Sequence, residues 1–102
     1  MAFEQWGYMV EGAWSDPERL EDRSGVYIIW CKVGENWFVL DVGESGTVKS
    51  RVLNHERAEC WRQNCRGEIY YSVIYTPNLQ QAGRMEIEQR IRSLTNPPCG
   101  DR

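Results

Sequence analysis

The stretch "GVYIIWCKVGENWFVLDVG", Gly25 to Gly43, decides the fold. Two runs rich in β-branched and aromatic residues, GVYIIWCKV and WFVLDV, flank Gly34-Glu35-Asn36, and this pattern reads as an antiparallel hairpin. With a three-residue loop, Val33 faces Trp37, Ile29 faces Asp41, and Tyr27 sits diagonally from Asp41 on the same face. A two-residue loop puts Tyr27 and Asp41 on opposite faces, because side chains alternate along a strand.

Downstream, Gly43 and Gly46 bracket a small polar loop, and Thr47 is placed to cap a helix beginning at Val48. Within that helix Val48, Val52 and Leu53 turn toward the protein core, while Arg51 and His55, four apart, project from one shared face. "GEIYYSVIY" after Gly67 is a third strand, closed by Pro77. Asn78 is placed to cap a last helix whose stripe of Ile87, Ile91 and Leu94 packs inward until Asn96-Pro97-Pro98 stops it. Upstream, residues 1–24 mix aromatic, acidic and turn-forming side chains, with Asp16 as a cap and Pro17 at the first helical position. They read as a wrapping segment, leaving 25–102 as the domain proper. The expected fold class is α+β, a small three-stranded antiparallel sheet flanked by helices.

The chain has 102 residues, enough for one core and too few for two. With 41% hydrophobic and 26% charged residues it has the material for a packed interior, unlike a disordered chain. "MAFEQWGYMV" lacks a basic segment followed by an apolar run, and no apolar stretch approaches the ~18 residues of a membrane span. The expectation is a cytoplasmic protein with no membrane association. Cys31, Cys60, Cys65 and Cys99 have scattered spacing, which in that compartment favours free thiols over a disulfide framework.

A net charge of −3 argues against a protein that coats nucleic acid by bulk attraction. The charge is uneven, however: residues 1–48 carry −6, while residues 49–66 hold Lys49, Arg51, Arg57, Arg62 and Arg66 against Glu56 and Glu59. That basic segment either meets a phosphate backbone or is a solvated face of mixed charge.

The polar residues that packing explains least are Tyr27, Asp41, Arg51, His55 and Glu88. Guanidinium binds a charged oxygen in a fixed fork and imidazole exchanges protons near neutral pH, so Arg51 with His55 suits phosphoryl chemistry; a surface pair is the plainer reading. Asp41 beside the Tyr27 phenol either accepts its proton or satisfies a buried hydroxyl. Gly43 and Ser45 are small enough for a phosphate to approach, with Lys49 and Arg57 in the basic segment to meet it. Glu86 and Glu88 flank the apolar stripe of the last helix, and periodicity does not choose between them as a holder of hydrated Mg²⁺. Cys60 and Cys65 lack the second close pair that zinc requires. Trp61 and the pair Tyr70-Tyr71 read either as base-stacking platforms or as core.

These residues resemble the GIY-YIG nuclease superfamily. "GVY" at Gly25 to Tyr27 is similar to its first tripeptide, and "DVG" at Asp41 to Gly43 stands where the second belongs. Arg51 comes ten residues after Asp41, His55 four later, and Glu88 precedes "QRIRSLTNP" at the spacing of the family's metal-binding glutamate, which separates it from Glu86. The likeness spans Gly25 to Gly100. It departs at Asp41, where a tyrosine is expected, and at Gly100, where an asparagine is. The resemblance implies a metal-dependent endonuclease that hydrolyses phosphodiester bonds in DNA with one Mg²⁺ or Mn²⁺ ion. Glu88 would hold the ion, Tyr27 assisted by His55 would help deprotonate the attacking water, and Arg51 would stabilise the transition-state charge. Asp41 would stand in for the missing phenol, as proton acceptor or outer-sphere metal contact. The chain has no room for a separate sequence-reading module, so a branched or otherwise structured DNA, or a protein partner, would supply specificity. The alternative is a catalytically silent nucleic-acid- or protein-binding module of the same fold, and a thiol or zinc protein using Cys60 and Cys65 is a third reading.

Overall fold

The structure, a computed structural model, describes residues 1–100. In chain order it contains β1 (Ala2–Gln5), β2 (Tyr8–Trp14), a 3₁₀ turn at Pro17–Arg19, β3 (Gly25–Val33), β4 (Asn36–Ser45), α1 (Val48–Leu53), α2 (Ala58–Gln63), β5 (Glu68–Tyr75) and α3 (Gln81–Thr95). The α+β class agrees with the expectation; the strand count does not. One antiparallel sheet of five strands runs β1-β2-β5-β3-β4. Residues 1–24 therefore do more than wrap: β2 pairs with β5 and extends the sheet. The hairpin that makes them strands turns at Trp6-Gly7, both with positive φ (55° and 87°). Tryptophan is not a residue that announces such a turn, so the usual Asn-Gly cue is missing.

β3 is the central strand, and its residues from Gly25 to Cys31 are all buried because both faces are covered. Tyr27, Ile29 and Cys31 pack on one face with Leu20, Val48, Val52, Trp61 and Val73. Val26, Ile28 and Trp30 pack on the other with Val10, Val42, Ile74 and Ile91. On α3, Ile87 and Ile91 join this second cluster, whereas Leu94 is 58% exposed and lies outside the stripe expected for it.

The β3–β4 loop is two residues long, since Val33 pairs with Asn36. Even so, Ile29 faces Asp41. The ladder steps from Trp30↔Val39 to Ile29↔Asp41, so Leu40 is an extra, bulged residue that undoes the one-residue slip of the shorter loop. Beyond the bulge Tyr27 pairs directly with Gly43.

Helix ends also differ from the local reading. Asp16 caps its turn as expected, accepting from the Glu18 N–H at 3.0 Å ahead of Pro17. Thr47 is the residue before α1 but its side chain makes no capping bond; the carboxylate of Asp22 does that work from a distant loop, accepting from the Ser50 N–H (2.8 Å) and hydroxyl (2.7 Å). The helix preceding His55 is shorter than its 3.6-residue pattern suggests. Asn54 closes α1, its backbone and side-chain amides both donating to the Ser50 carbonyl, so His55 lies in the following turn. At α3 the cap position falls to Gln80 and not Asn78.

The four cysteines are paired, Cys31–Cys65 and Cys60–Cys99, which corrects the free-thiol expectation. Pairing across 34 and 39 residues is a product of the fold, which brings β3 and the C-terminal segment to either end of α2. Cys60 and Cys65 thereby hold different partners and do not form a metal-ligand pair. No helix among the described residues is long and apolar enough to cross a membrane.

Candidate functional site

Gly43 explains how Tyr27 is positioned. The phenol of Tyr27 lies across the Gly43 Cα so closely that a Cβ there would sit 2.1 Å from the hydroxyl oxygen. A glycine in strand interior is costly by itself, and here it admits the aromatic ring of the paired residue. The Tyr27 hydroxyl meets His55 Nε2 at 2.6 Å, with the rings edge to face. His55 Nδ1 accepts a 3.0 Å hydrogen bond from the Arg57 backbone N–H. Trp61 packs against the same imidazole, ring centroids 4.8 Å apart. The pair is enclosed: Tyr27 is 1% exposed and His55 7%. Burial, reinforced by the charges of Arg51 and Arg57, lowers His55 to about 4, and burial raises Tyr27 to about 12. At neutral pH both are uncharged, so the 4.0 Å approach of Glu56 to His55 is not an ion pair.

Asp41 is fully buried, and its oxygens accept five hydrogen bonds: from the Val42 N–H, Trp61 Nε1, Arg57 Nε and Nη2, and Arg92 Nη2. Arg92 is itself 1% exposed, and its other donors go to the carbonyls of Cys99 and Val42 and to Glu88. Every acceptor position on the Asp41 carboxylate is thus engaged by a protein donor. The two positions that depart from the resembled pattern meet here, because a Cβ on Gly100 (φ +90°) would lie 2.3 Å from Arg92 Nη2 and 2.8 Å from Asp41 Oδ1. A carboxylate at 41 and the absence of a side chain at 100 are two halves of one arrangement around a buried guanidinium.

From this centre an alternating chain of charges runs Glu88–Arg92–Asp41–Arg57–Glu56–Arg51. Arg51 grips Glu56 through both guanidinium nitrogens, at 2.6 and 2.9 Å. Glu88 accepts from Arg92 Nε at 3.2 Å through Oε2 only, and burial raises its pKa. The charges of Arg51 and Arg57 pull the Tyr27 pKa down and those of Asp41 and Glu88 push it up, all of them smaller influences than burial.

No known family profile, characterised protein or solved structure matches this chain.

The remaining expected contacts are placed as follows. Ser45 accepts from the Thr47 N–H (2.9 Å), Lys49 approaches Glu18 (3.9 Å), and Arg57 is committed to Asp41. Among the described residues no cluster of three or more His, Cys, Asp or Glu side chains forms a ready cation site. Two hollows, of about 440 Å³ beside Trp30 and Trp37 and about 270 Å³ beside Val52 and Trp61, contain none of Tyr27, Arg51, His55 and Glu88. Sequence reasoning missed Arg92. Its one visible signal was the Glu88–Arg92 spacing of four on a helix, and that spacing ordinarily marks an exposed pair.

Proposed function

We propose that the chain is a metal-dependent phosphodiester hydrolase acting on DNA, built on a GIY-YIG-like plan. The observation that carries this reading is the enclosed Tyr27–His55 pair at 2.6 Å, with the charges of Arg51 and Glu88 among those acting on the phenol. A buried phenol–imidazole contact is a costly way to fill a core, and proton-handling groups of this kind are expected where chemistry is done.

Glu88 is the residue that would hold Mg²⁺ or Mn²⁺. Its Oε1 takes no hydrogen bond from the described residues, its side chain is 15% exposed, and Arg92 engages only the other oxygen. One free carboxylate oxygen suits a hydrated ion that keeps its waters and a substrate phosphate as further ligands. Bound there, the cation supplies Lewis-acid polarisation of a phosphate oxygen. Arg51, 33% exposed, reaches the developing negative charge once it releases Glu56. Asp41 belongs to the scaffold in this reading. It holds Trp61, Arg57 and Arg92 around the pair and has no free lone pair with which to take a proton.

A second reading, a silent binding module, is favoured by the fact that Arg51 is already gripped by Glu56 and Arg57 by Asp41. The test is nicking of supercoiled plasmid, branched and single-stranded DNA with Mg²⁺ or Mn²⁺. Cleavage abolished in Glu88→Gln with the fold retained supports hydrolysis; binding without cleavage supports the silent module. The two disulfides favour an oxidising compartment over the cytoplasm, because reducing compartments do not sustain such bridges.

A further inference from the structure

The larger hollow takes no part in the chemistry described so far. Its lining comes from four strands: Phe3 and Gln5 on β1, Gly12 and Ala13 on β2, Trp30 on β3 and Trp37 on β4. β1 and β4 are the two edges of the sheet, so the hollow is a cleft that crosses its face. It lies on the opposite side of β3 from Tyr27, because Trp30 points with Val26 and Ile28 and Tyr27 with Ile29 and Cys31. Gly12 and Ala13 have little or no side chain, and the space above them, about 440 Å³, is of the size that holds a small ligand.

The walls are fixed before any ligand arrives. Trp30 donates its indole N–H to Ser72 Oγ at 2.7 Å and stacks on Trp6, with ring centroids 5.7 Å apart and planes 9° from parallel. Trp37 is 44% exposed and is braced by Tyr70, ring centroids 4.9 Å apart. The planes of Trp30 and Trp37 meet at 85°, which makes a corner and not a slot. A corner accepts a thick, saturated ring with C–H groups on its faces and rim, whereas a flat base is held best by stacking against a parallel ring.

Charge narrows the ligand further. None of the described residues that line the cleft is charged. The Lys32 ammonium stands 5.5 Å from the Trp37 ring centroid, where a cationic ligand would have to sit. A polyanion meets the opposite obstacle, since all of these lining residues belong to residues 1–48, whose net charge is −6. What is left uncommitted is neutral: the Gln5 amide and the Trp37 indole N–H make no hydrogen bond among the described residues, and between them they offer donors and an acceptor. We propose that the cleft is a binding site for neutral carbohydrate, a short run of uncharged sugar rings whose C–H faces pack on Trp37 and Phe3 and whose hydroxyls bond the Gln5 amide. The two disulfides agree with this, because such bridges belong to the oxidising compartments in which glycans are displayed. The site is separate from the hydrolase reading and needs no metal.

Calorimetric titration of the intact, oxidised protein with neutral trisaccharides of glucose, mannose and N-acetylglucosamine, in metal-free buffer, tests the proposal, with a short oligothymidylate for comparison. At least one trisaccharide should bind with a Kd of about 1 mM or tighter and perturb the tryptophan fluorescence. Its affinity should be the same in low and high salt, because no charge is exchanged. Trp37→Ala should weaken binding about tenfold or more. Gln5→Ala should weaken it too, and it spares the fold because the side chain is exposed and has no partner to lose. Failure of every trisaccharide to bind overturns the proposal, as does unchanged affinity in both variants or binding of the oligothymidylate alone. Sedimentation over a range of protein concentrations examines the other occupant: a dimer that dissociates in Trp37→Ala would give the cleft to a second copy of the chain and would likewise overturn it. DNA cleavage enters none of these measurements, so the sugar site and the hydrolase reading fail separately.

Discussion

Replacing Asp41 by Asn tests whether this residue belongs to the scaffold. The carboxylate is fully buried and faces two guanidinium groups, one of which, on Arg92, is 1% exposed. The substitution keeps the volume, removes the charge, and swaps one acceptor oxygen for an NH₂ that meets donors. Arg57, with its side chain 28% exposed, can turn toward water, so the uncompensated charge falls mainly on Arg92. Removing one partner of a buried ion pair costs about 3–5 kcal/mol. Glu88 still touches Arg92 at 3.2 Å and places the expectation at the low end, about 3 kcal/mol. In a domain of this size that lowers the melting temperature by roughly 12–24 °C, from a total stability on the order of 5–15 kcal/mol. Guanidinium unfolding of the oxidised protein, followed by tryptophan fluorescence, measures it, with Trp61 reporting from the site itself. Arg92→Met alone should also destabilise, and the double variant should lose less than the two losses added, because the pair is coupled. A loss under about 1 kcal/mol for Asp41→Asn, or simple additivity, would refute the account of Asp41 as the buried keystone and reopen a chemical role for it.

Three more outcomes follow from the geometry. His55 is held near 4 by burial, below its ordinary value of 6.5, so the unfolded chain binds more protons between those pH values and stability should fall by about 3 kcal/mol as pH drops through them; urea titrations from pH 7 to 4 check this, and the slope should be largely absent in His55→Gln. Reducing Cys31–Cys65 or Cys60–Cys99 reopens a 34- or 39-residue loop, each worth about 4 kcal/mol in the unfolded chain; melting with and without a phosphine reductant should show a large drop, and an unchanged transition would deny that the bridges stabilise the fold. Gly43→Ala pushes a methyl group into the Tyr27 ring and should break the contact with His55, seen as a shift of the histidine ¹⁵N resonances; unchanged resonances would deny that Gly43 makes room for the phenol.

How much of this was legible beforehand depends on the range of each interaction. The strands at 25–33, 36–45 and 68–75, the terminal helix and the Asp16-Pro17 turn were written in local pattern, because alternation, helical period and capping act over a few residues. Ile29 opposite Asp41 was anticipated from a three-residue loop, yet the fold reaches it through a shorter loop and a bulge at Leu40. Two sheet strands went unseen because their turn is Trp6-Gly7, whose first residue lacks the usual preference for positive φ. His55 was assigned to a helix because periodicity cannot see Asn54 ending it.

By itself the sequence determined the fold class and most of the element types, and it singled out Tyr27, Asp41, Arg51, His55 and Glu88 as the polar residues that packing explains least. Tertiary structure alone decided what those side chains are doing. Whether Asp41 is a reagent or a scaffold depends on Arg92, 51 residues away, and on the empty space at Gly100. Which partner donates in the Tyr27–His55 hydrogen bond depends on where one backbone N–H of Arg57 points. Burial and hydrogen-bond direction are properties of groups brought together from distant parts of the chain, and no local pattern of residues encodes them.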